Sequence, residues 1–183
     1  MSDQPYDPRA IANLMLEEGH RHGRPITNLA LQKLLYFAHA LFLIERKRPL
    51  VSGYFEAWEF GPVHPAVYQS FKAARDRAIT FRALKRNLVT GATDEIEPPA
   101  DPDVTQHVSR IMAQYGALTP GQLVRISHAK GAPWHFVADK PGVGLALGTR
   151  IGNDVIEARF KFHKVALLTA DALGEPCEDT PPA

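Results

Sequence analysis

Eight histidines, one cysteine and a scatter of carboxylates are the residues of this 183-residue chain that could carry chemistry. Their spacing argues against it. His20-Arg21-His22 sets two imidazoles two positions apart, and residues at that offset do not share a helix face, so no metal pair is expected. His64 has no nucleophile near it in sequence, and the adjacent Ser127 and His128 are expected to point apart. Cys177 lies in a Pro/Glu/Asp-rich C-terminus with no structured base beside it, which disfavours a thiolate–imidazole pair. Alone, it makes neither an internal disulfide nor a thiolate zinc site. Glu56 and Glu59 would fall on opposite faces of a strand. Gly142-Val143-Gly144 lacks the third glycine and the helix of a dinucleotide fingerprint, and no Gly-Lys-Ser/Thr loop, HExxH or Cys/His zinc spacing occurs. The expectation is a protein that is not an enzyme, with no catalytic residue, no cofactor and no metal.

Residues suited to recognition are better organised. Gln32, Lys33, Tyr36 and His39 interrupt an otherwise apolar run from Leu29 to Ile44, and their offsets of three, four and seven put them on one helical stripe. That stripe either meets water or a partner, or forms an internally satisfied polar cluster. Lys33 is hard to bury unpaired and has to reach water, a carboxylate or a partner. Trp58 and Phe60 offer the large aromatic area found at binding hot spots. A small β element must also pack its apolar face on the helix, which favours the core for both.

Charge is uneven along the chain. The first 90 residues carry 13 Lys/Arg against 8 Asp/Glu, and the remainder 8 against 12. Lys72, Arg75, Arg77, Arg82, Lys85 and Arg86 are opposed only by Asp76, and Asp94, Glu95, Glu97, Asp101 and Asp103 follow without compensating bases. This is either a solvated helix end with an acidic loop or a docking face for an acidic partner.

Positioning such residues requires a mainly α (α+β) scaffold. Asp7-Pro8 signals a helix start, with Ile11, Leu14, Met15 and Leu16 at helical spacing and Gly19 to Gly23 closing the run. Thr27 caps a second helix, roughly 28–46, apolar almost all round and therefore expected at the centre of the domain. Alternation from Tyr54 to Phe60 predicts a strand ended by Gly61-Pro62. Pro65 opens a third helix; residues 79–89 are ambiguous; 91–103 reads as a loop and the one plausible subdomain seam. Further helices are expected around Val104–Tyr115, from Thr119-Pro120, and from an Asn153 or Asp154 cap to about Phe162. The expected whole is a compact helical domain around a buried central helix with a small β element, spanning residues 1–170. A disordered, acidic, Pro-rich tail follows at 171–183. With no signal-peptide pattern at its start and no apolar run near the roughly 20 residues a span requires, a cytoplasmic protein without membrane contact is expected.

Two blocks carry a family resemblance. The run Ile26 to His39, with Leu31-Gln32-Lys33-Leu34-Leu35-Tyr36-Phe37 at its heart, resembles the opening signature of the Panacea domain. Ala57-Trp58-Glu59-Phe60-Gly61-Pro62-Val63, followed by Pro65 and Tyr68, resembles that family's Ala-Trp-x-x-Gly-Pro-Val motif. Weaker blocks follow at Tyr115 to Trp134, with Leu118-Thr119, Leu123, His128 and Pro133-Trp134, and in the late helix ending at Phe160. The chain departs from the pattern in its acidic loop at 91–103 and its tail. Similarity to the SocA-like Panacea antitoxins implies an antitoxin of a bacterial type II toxin–antitoxin system that binds a co-encoded toxin. It also implies, for some members, delivery of that toxin to a Clp-type AAA+ protease. Under this reading Gln32, Lys33, Tyr36, His39, Trp58, Gly61, Pro62 and Tyr68 are the partner-binding residues. No helix-turn-helix module or strongly basic recognition helix is present, so direct nucleic-acid binding is not expected. The alternatives are a phage-associated host-interaction protein on the same scaffold and an enzyme with a dispersed site.

Overall fold

The computed structural model describes residues 4–139, 148–160 and Asp179. Helix α1 (Pro8–Arg21) starts where the Asp-Pro pair predicts: the Asp7 side chain accepts from the Arg9 N–H, and Pro8 takes the first position. Thr27 likewise caps α2 (Asn28–Arg46) by accepting from the Ala30 N–H. Every residue of α2 from Asn28 to Ala40 is buried. A helix apolar on all sides has no solvent face to offer, so it becomes the axis on which the other elements pack.

Helices α1, α3 (Pro65–Phe71), α4 (Pro102–Tyr115), α5 (Pro120–Ser127) and α7 (Asn153–Arg159) all contact α2. The capping box of Thr119 and Gln122 fixes the start of α5. On one side of this bundle an antiparallel sheet runs in the order β2 (Gly61–Val63), β1 (Phe55–Trp58), β5 (Arg150–Ile151). An aromatic core joins them, with the Tyr36 ring 5.4 Å from Phe55 and 5.6 Å from Phe160, and Phe37 5.0 Å from Tyr115.

Five elements depart from the sequence reading. Gly61-Pro62 does not end the β element: the chain turns at Glu59-Phe60, and Gly61 to Val63 return as β2, pairing Ala57 with Pro62. Proline is tolerated there because β2 is an edge strand and its outer side needs no ladder N–H. The ambiguous stretch and the loop pair with each other, as β3 (Leu84–Arg86) and β4 (Thr93–Glu95), with Lys85 opposite Asp94. Both strands are exposed on both faces, so they lack the apolar alternation that marks a strand in sequence. The buried Asn13 side chain of α1 holds the base of this hairpin. It accepts from the Ala83 N–H at 2.8 Å and donates to the Ala83 and Ile96 carbonyls. Arg82 adds ion pairs to Glu17 and Glu95. Pro133 starts a further helix, α6 (Pro133–Ala138), and Gly152 rather than Asn153 or Asp154 caps α7. The Gly142-Val143-Gly144 stretch, the end of the last helix past Phe160, and the domain boundary near 170 lie outside the described residues. So does the tail, except for Asp179, which is buried.

Candidate partner-binding site

The edge of β2 presents the Pro62 carbonyl and the His64 N–H outward, and an unpaired sheet edge has to find partners. Two consecutive polar residues of α2 supply them. The Gln32 side-chain carbonyl accepts from the His64 N–H at 2.9 Å, while its amide donates to Asn28 at 3.1 Å. The Lys33 ammonium donates to the Pro62 carbonyl at 3.3 Å and to an Asp179 carboxylate oxygen at 2.8 Å. Both Lys33 and Asp179 have wholly buried side chains in this ion pair. Thus the Lys33 requirement, read from sequence as water, a carboxylate or a partner, is met by a carboxylate 146 positions away.

Gly61 sits at the centre of this arrangement, with φ +103. A Cβ there would lie 2.5 Å from Ser127 Oγ, 3.1 Å from Lys33 Cε and 3.5 Å from His128 Nε2. Ser127 and His128 therefore bracket Gly61 rather than pointing apart. They are not a nucleophile–base pair, because the Ser127 hydroxyl donates to the Val124 carbonyl at 2.8 Å. His128 stacks on Trp134, with centroids 3.7 Å apart and planes 9° off parallel. Its Nε2 is buried and has no hydrogen-bond partner among the described residues. Burial, then the nearby Lys33 charge, pushes the His128 imidazole down to about 3, so it stays neutral. The Trp134 indole N–H donates to the Trp58 carbonyl at 2.8 Å, tying α6 to β1. Trp58 in turn donates to Glu56 and packs edge-on against Tyr68 at 4.8 Å. Lys33 itself is held below the usual ammonium range by burial, with Asp179 opposing that shift.

The eight residues singled out from sequence thus fall into two neighbouring groups. Gln32, Lys33, Trp58, Gly61, Pro62 and Tyr68 surround the β1–β2 turn. Tyr36 and His39 lie one and two turns further along α2, against Phe55. All eight are buried, so the stripe on α2 is an internal polar cluster in this state. Sequence reasoning missed the convergence of Ser127 and His128 on Gly61, and it missed Asp179. Each belongs to a separate segment with no local pattern linking it to Lys33. Among the described residues no group of three His, Cys, Asp or Glu is placed to hold a metal ion. No helix among them is long and apolar enough to cross a membrane.

Gly61→Ala is expected to lower stability by roughly 1–3 kcal/mol, through backbone strain at positive φ together with the close approach to Ser127 and Lys33. Gly91, at φ +72 with nothing within 4 Å of its Cβ position, is the control for strain alone. Calorimetric melting of both alanine variants checks this; equal losses would show that packing around Gly61 is not tight.

His39 and His128, both kept neutral by burial, share the site's acid sensitivity. For His39 the geometry is explicit. Its Nδ1 accepts from the Val51 N–H at 3.4 Å, so Nε2 donates to Asn153 Oδ1 at 3.0 Å and the ring is neutral. Burial is the main cause that drives its pKa down to about 4, with a smaller push from neighbouring His64. A folded value below the unfolded one means the unfolded chain binds the extra proton. Stability is then full above about pH 6.5 and falls as pH drops toward 4, by on the order of 3 kcal/mol. His39→Gln should reduce the slope of the melting-temperature profile between pH 7 and 4 and leave the part due to His128; an unchanged slope would assign it wholly to other groups.

A family model described as antitoxin SocA-like, Panacea domain, matches residues 31–135. The chain is also 46% identical over 180 residues to the antitoxin SocA of Caulobacter vibrioides (strain NA1000 / CB15N), covering 98% of this chain and 96% of that protein. The chain belongs to the SocA-like, Panacea-domain antitoxin family. No solved structure is significantly similar to it. The matched Panacea segment begins one residue before Gln32 and ends one residue after Trp134. It takes in the α2 clamp, the β1–β2 turn, Ser127, His128 and Trp134. The segments that carry Gln32-Lys33 and Gly61-Pro62 thus pack together, and Asp179 reaches them from outside the matched segment.

Proposed function

We propose that this protein is the antitoxin of a type II toxin–antitoxin system, neutralising a co-encoded protein toxin by binding it. The observation that carries this reading is the near full-length match to a protein named an antitoxin, with 46% identity distributed over 98% of the chain. The geometry supports binding rather than catalysis. The signature residues hold one another in neutral or paired states, and the Ser127–His128 neighbours form no nucleophile–base contact. The partner-binding surface centres on the β1–β2 turn, where the buried Trp58, Gly61 and Pro62, braced from behind by Gln32 and Lys33, hold the exposed Glu59 and half-buried Phe60. Tyr36, His39 and Tyr68 set the shape of that brace. Co-expression with the product of the adjacent toxin-sized reading frame, followed by affinity co-purification and growth rescue, tests the reading. Absence of both a complex and rescue rejects it.

Neutralisation is completed by delivery of the toxin to a Clp-type AAA+ protease, for which a second surface is needed because an adaptor works by raising local concentration. The exposed cations Lys72, Arg75, Arg77, Lys85 and Arg86 are the surface we assign to this step. Pulse-chase of the toxin in protease-positive and protease-deficient cells separates the mechanisms. A shortened toxin half-life in the positive cells alone, lost on neutralising these cations with toxin binding intact, is the expected result. Unchanged half-life with full rescue in both backgrounds leaves occlusion as the whole mechanism.

A further inference from the structure

We propose that the Lys33 pocket is an exchangeable carboxylate-binding site: Asp179 fills it in the free protein, and an acidic side chain of the bound partner protein replaces Asp179 in the complex. For the identity of that partner the proposal rests on the toxin-binding reading above.

Three features of the site lead there. The scaffold that positions Lys33 supplies a neutral hydrogen-bond acceptor, the Pro62 carbonyl, while the charge that compensates the ammonium comes from near the far end of the chain. Among the described residues, the groups placed around Lys33 are the Pro62 carbonyl, the Gly61 backbone and His128, and the carboxylate that compensates the ammonium is Asp179. Three contacts around the pocket do not involve Asp179. The Gln32 clamp on His64, the Trp134 bond to the Trp58 carbonyl and the His128–Trp134 stack are all complete without it. Finally, His128 Nε2 is close to the same Gly61 surface as the Lys33 stem and is buried with no partner among the described residues. The site therefore holds an ammonium that requires a carboxylate beside a polar ring atom that Asp179 leaves unmatched, and a peptide carrying an acidic side chain can serve both.

Exchange is energetically accessible because one carboxylate replaces another at the same ammonium, so the Coulombic gain and the desolvation loss are regained together. Occupancy is then decided by effective concentration. A partner prevails over Asp179 by making further contacts around the β1–β2 turn.

The test uses the full chain carrying Asp179→Ala and a fluorescein-labelled synthetic peptide of residues 174–183, read by anisotropy. The expected result is binding of the peptide by the Asp179→Ala chain. Binding should be at least tenfold weaker for a peptide carrying Asp179→Asn, for the unsubstituted chain, and for a chain combining Asp179→Ala with Lys33→Met. Thermal melts confirm that each chain is folded, and Asp179→Asn replaces Asp179→Ala should the latter fail. No binding by a folded variant, or equal binding of the two peptides, overturns the carboxylate site. In a second arm, Asp179→Ala is expected to tighten binding of the adjacent gene product about tenfold, with the peptide competing. Unchanged affinity with the peptide bound alongside overturns the exchange. Should the unsubstituted chain bind no adjacent gene product, the antitoxin function fails and the exchange with it, while the peptide arm still decides the carboxylate site.

Discussion

Leu35→Asp abolishes soluble folding, and Leu34→Asp does the same: that is the largest effect expected from any single change in this chain. Leu35 is fully enclosed and Leu34 is 1% exposed, both in the middle of α2 where every flanking residue is also buried. An aspartate there must be ionised without a partner or protonated at a cost, and either penalty amounts to several kcal/mol. It also removes a leucine side chain from the core, which costs roughly 2–5 kcal/mol in its own right. Together these are comparable to the whole stability of a typical domain, about 5–15 kcal/mol. No repacking route is open, because α2 touches five other helices as well as β2 and has no solvent face onto which the carboxylate could rotate. Circular dichroism and thermal melting of the purified variants check this. Native-like melts for both would mean that α2 is not the centre of the fold.

Lys33→Ala has the second largest expected effect, and its size relative to Asp179→Ala is the informative quantity. Removing the lysine leaves a cavity where its stem lay, takes the ammonium from the Pro62 carbonyl, and leaves Asp179 buried without its cation. The expected loss is roughly 3–5 kcal/mol, a fall of about 10 °C or more in melting temperature for a chain of this size. Asp179→Ala is expected to cost less, because a smaller side chain is lost and Lys33 keeps the Pro62 carbonyl as an acceptor. Deleting Gly174 to Ala183 should resemble Asp179→Ala, although composition alone predicts almost no change for a segment so polar and proline-rich. Lys33→Met, which keeps the stem and discards the charge, should fall between the two. Calorimetry on the four variants gives the ranking. Equal losses for Lys33→Ala and Asp179→Ala would mean that the pair acts as one rigid core unit.

Much of the scaffold was legible because it rests on short-range rules. The Asp7-Pro8 start, the Thr27 cap and the Thr119-Pro120 start are each decided within about four residues, and helical periodicity marks α1, α2 and α4. The β3–β4 hairpin was not legible, since its pairing matches charge across strands and shows no apolar alternation within either one. β2 was missed because Gly61-Pro62 ordinarily ends a strand, and only the edge position excuses it.

By itself, then, the sequence determined the mainly helical class, the buried central helix, the two signature blocks that mark the family, and the demand that Lys33 find a compensating group. These follow from periodicity, capping and the cost of burying a charge, all of which act locally or on a single side chain. Only the tertiary structure decided how the demand is met. It brought the Pro62 carbonyl of an edge strand, the His128–Trp134 stack and the Asp179 carboxylate to one ammonium, from positions 29, 95, 101 and 146 residues away. A contact between residues so far apart leaves no pattern in the order of the chain, because it is made by the packing of elements around α2 and not by the spacing of residues within any one of them.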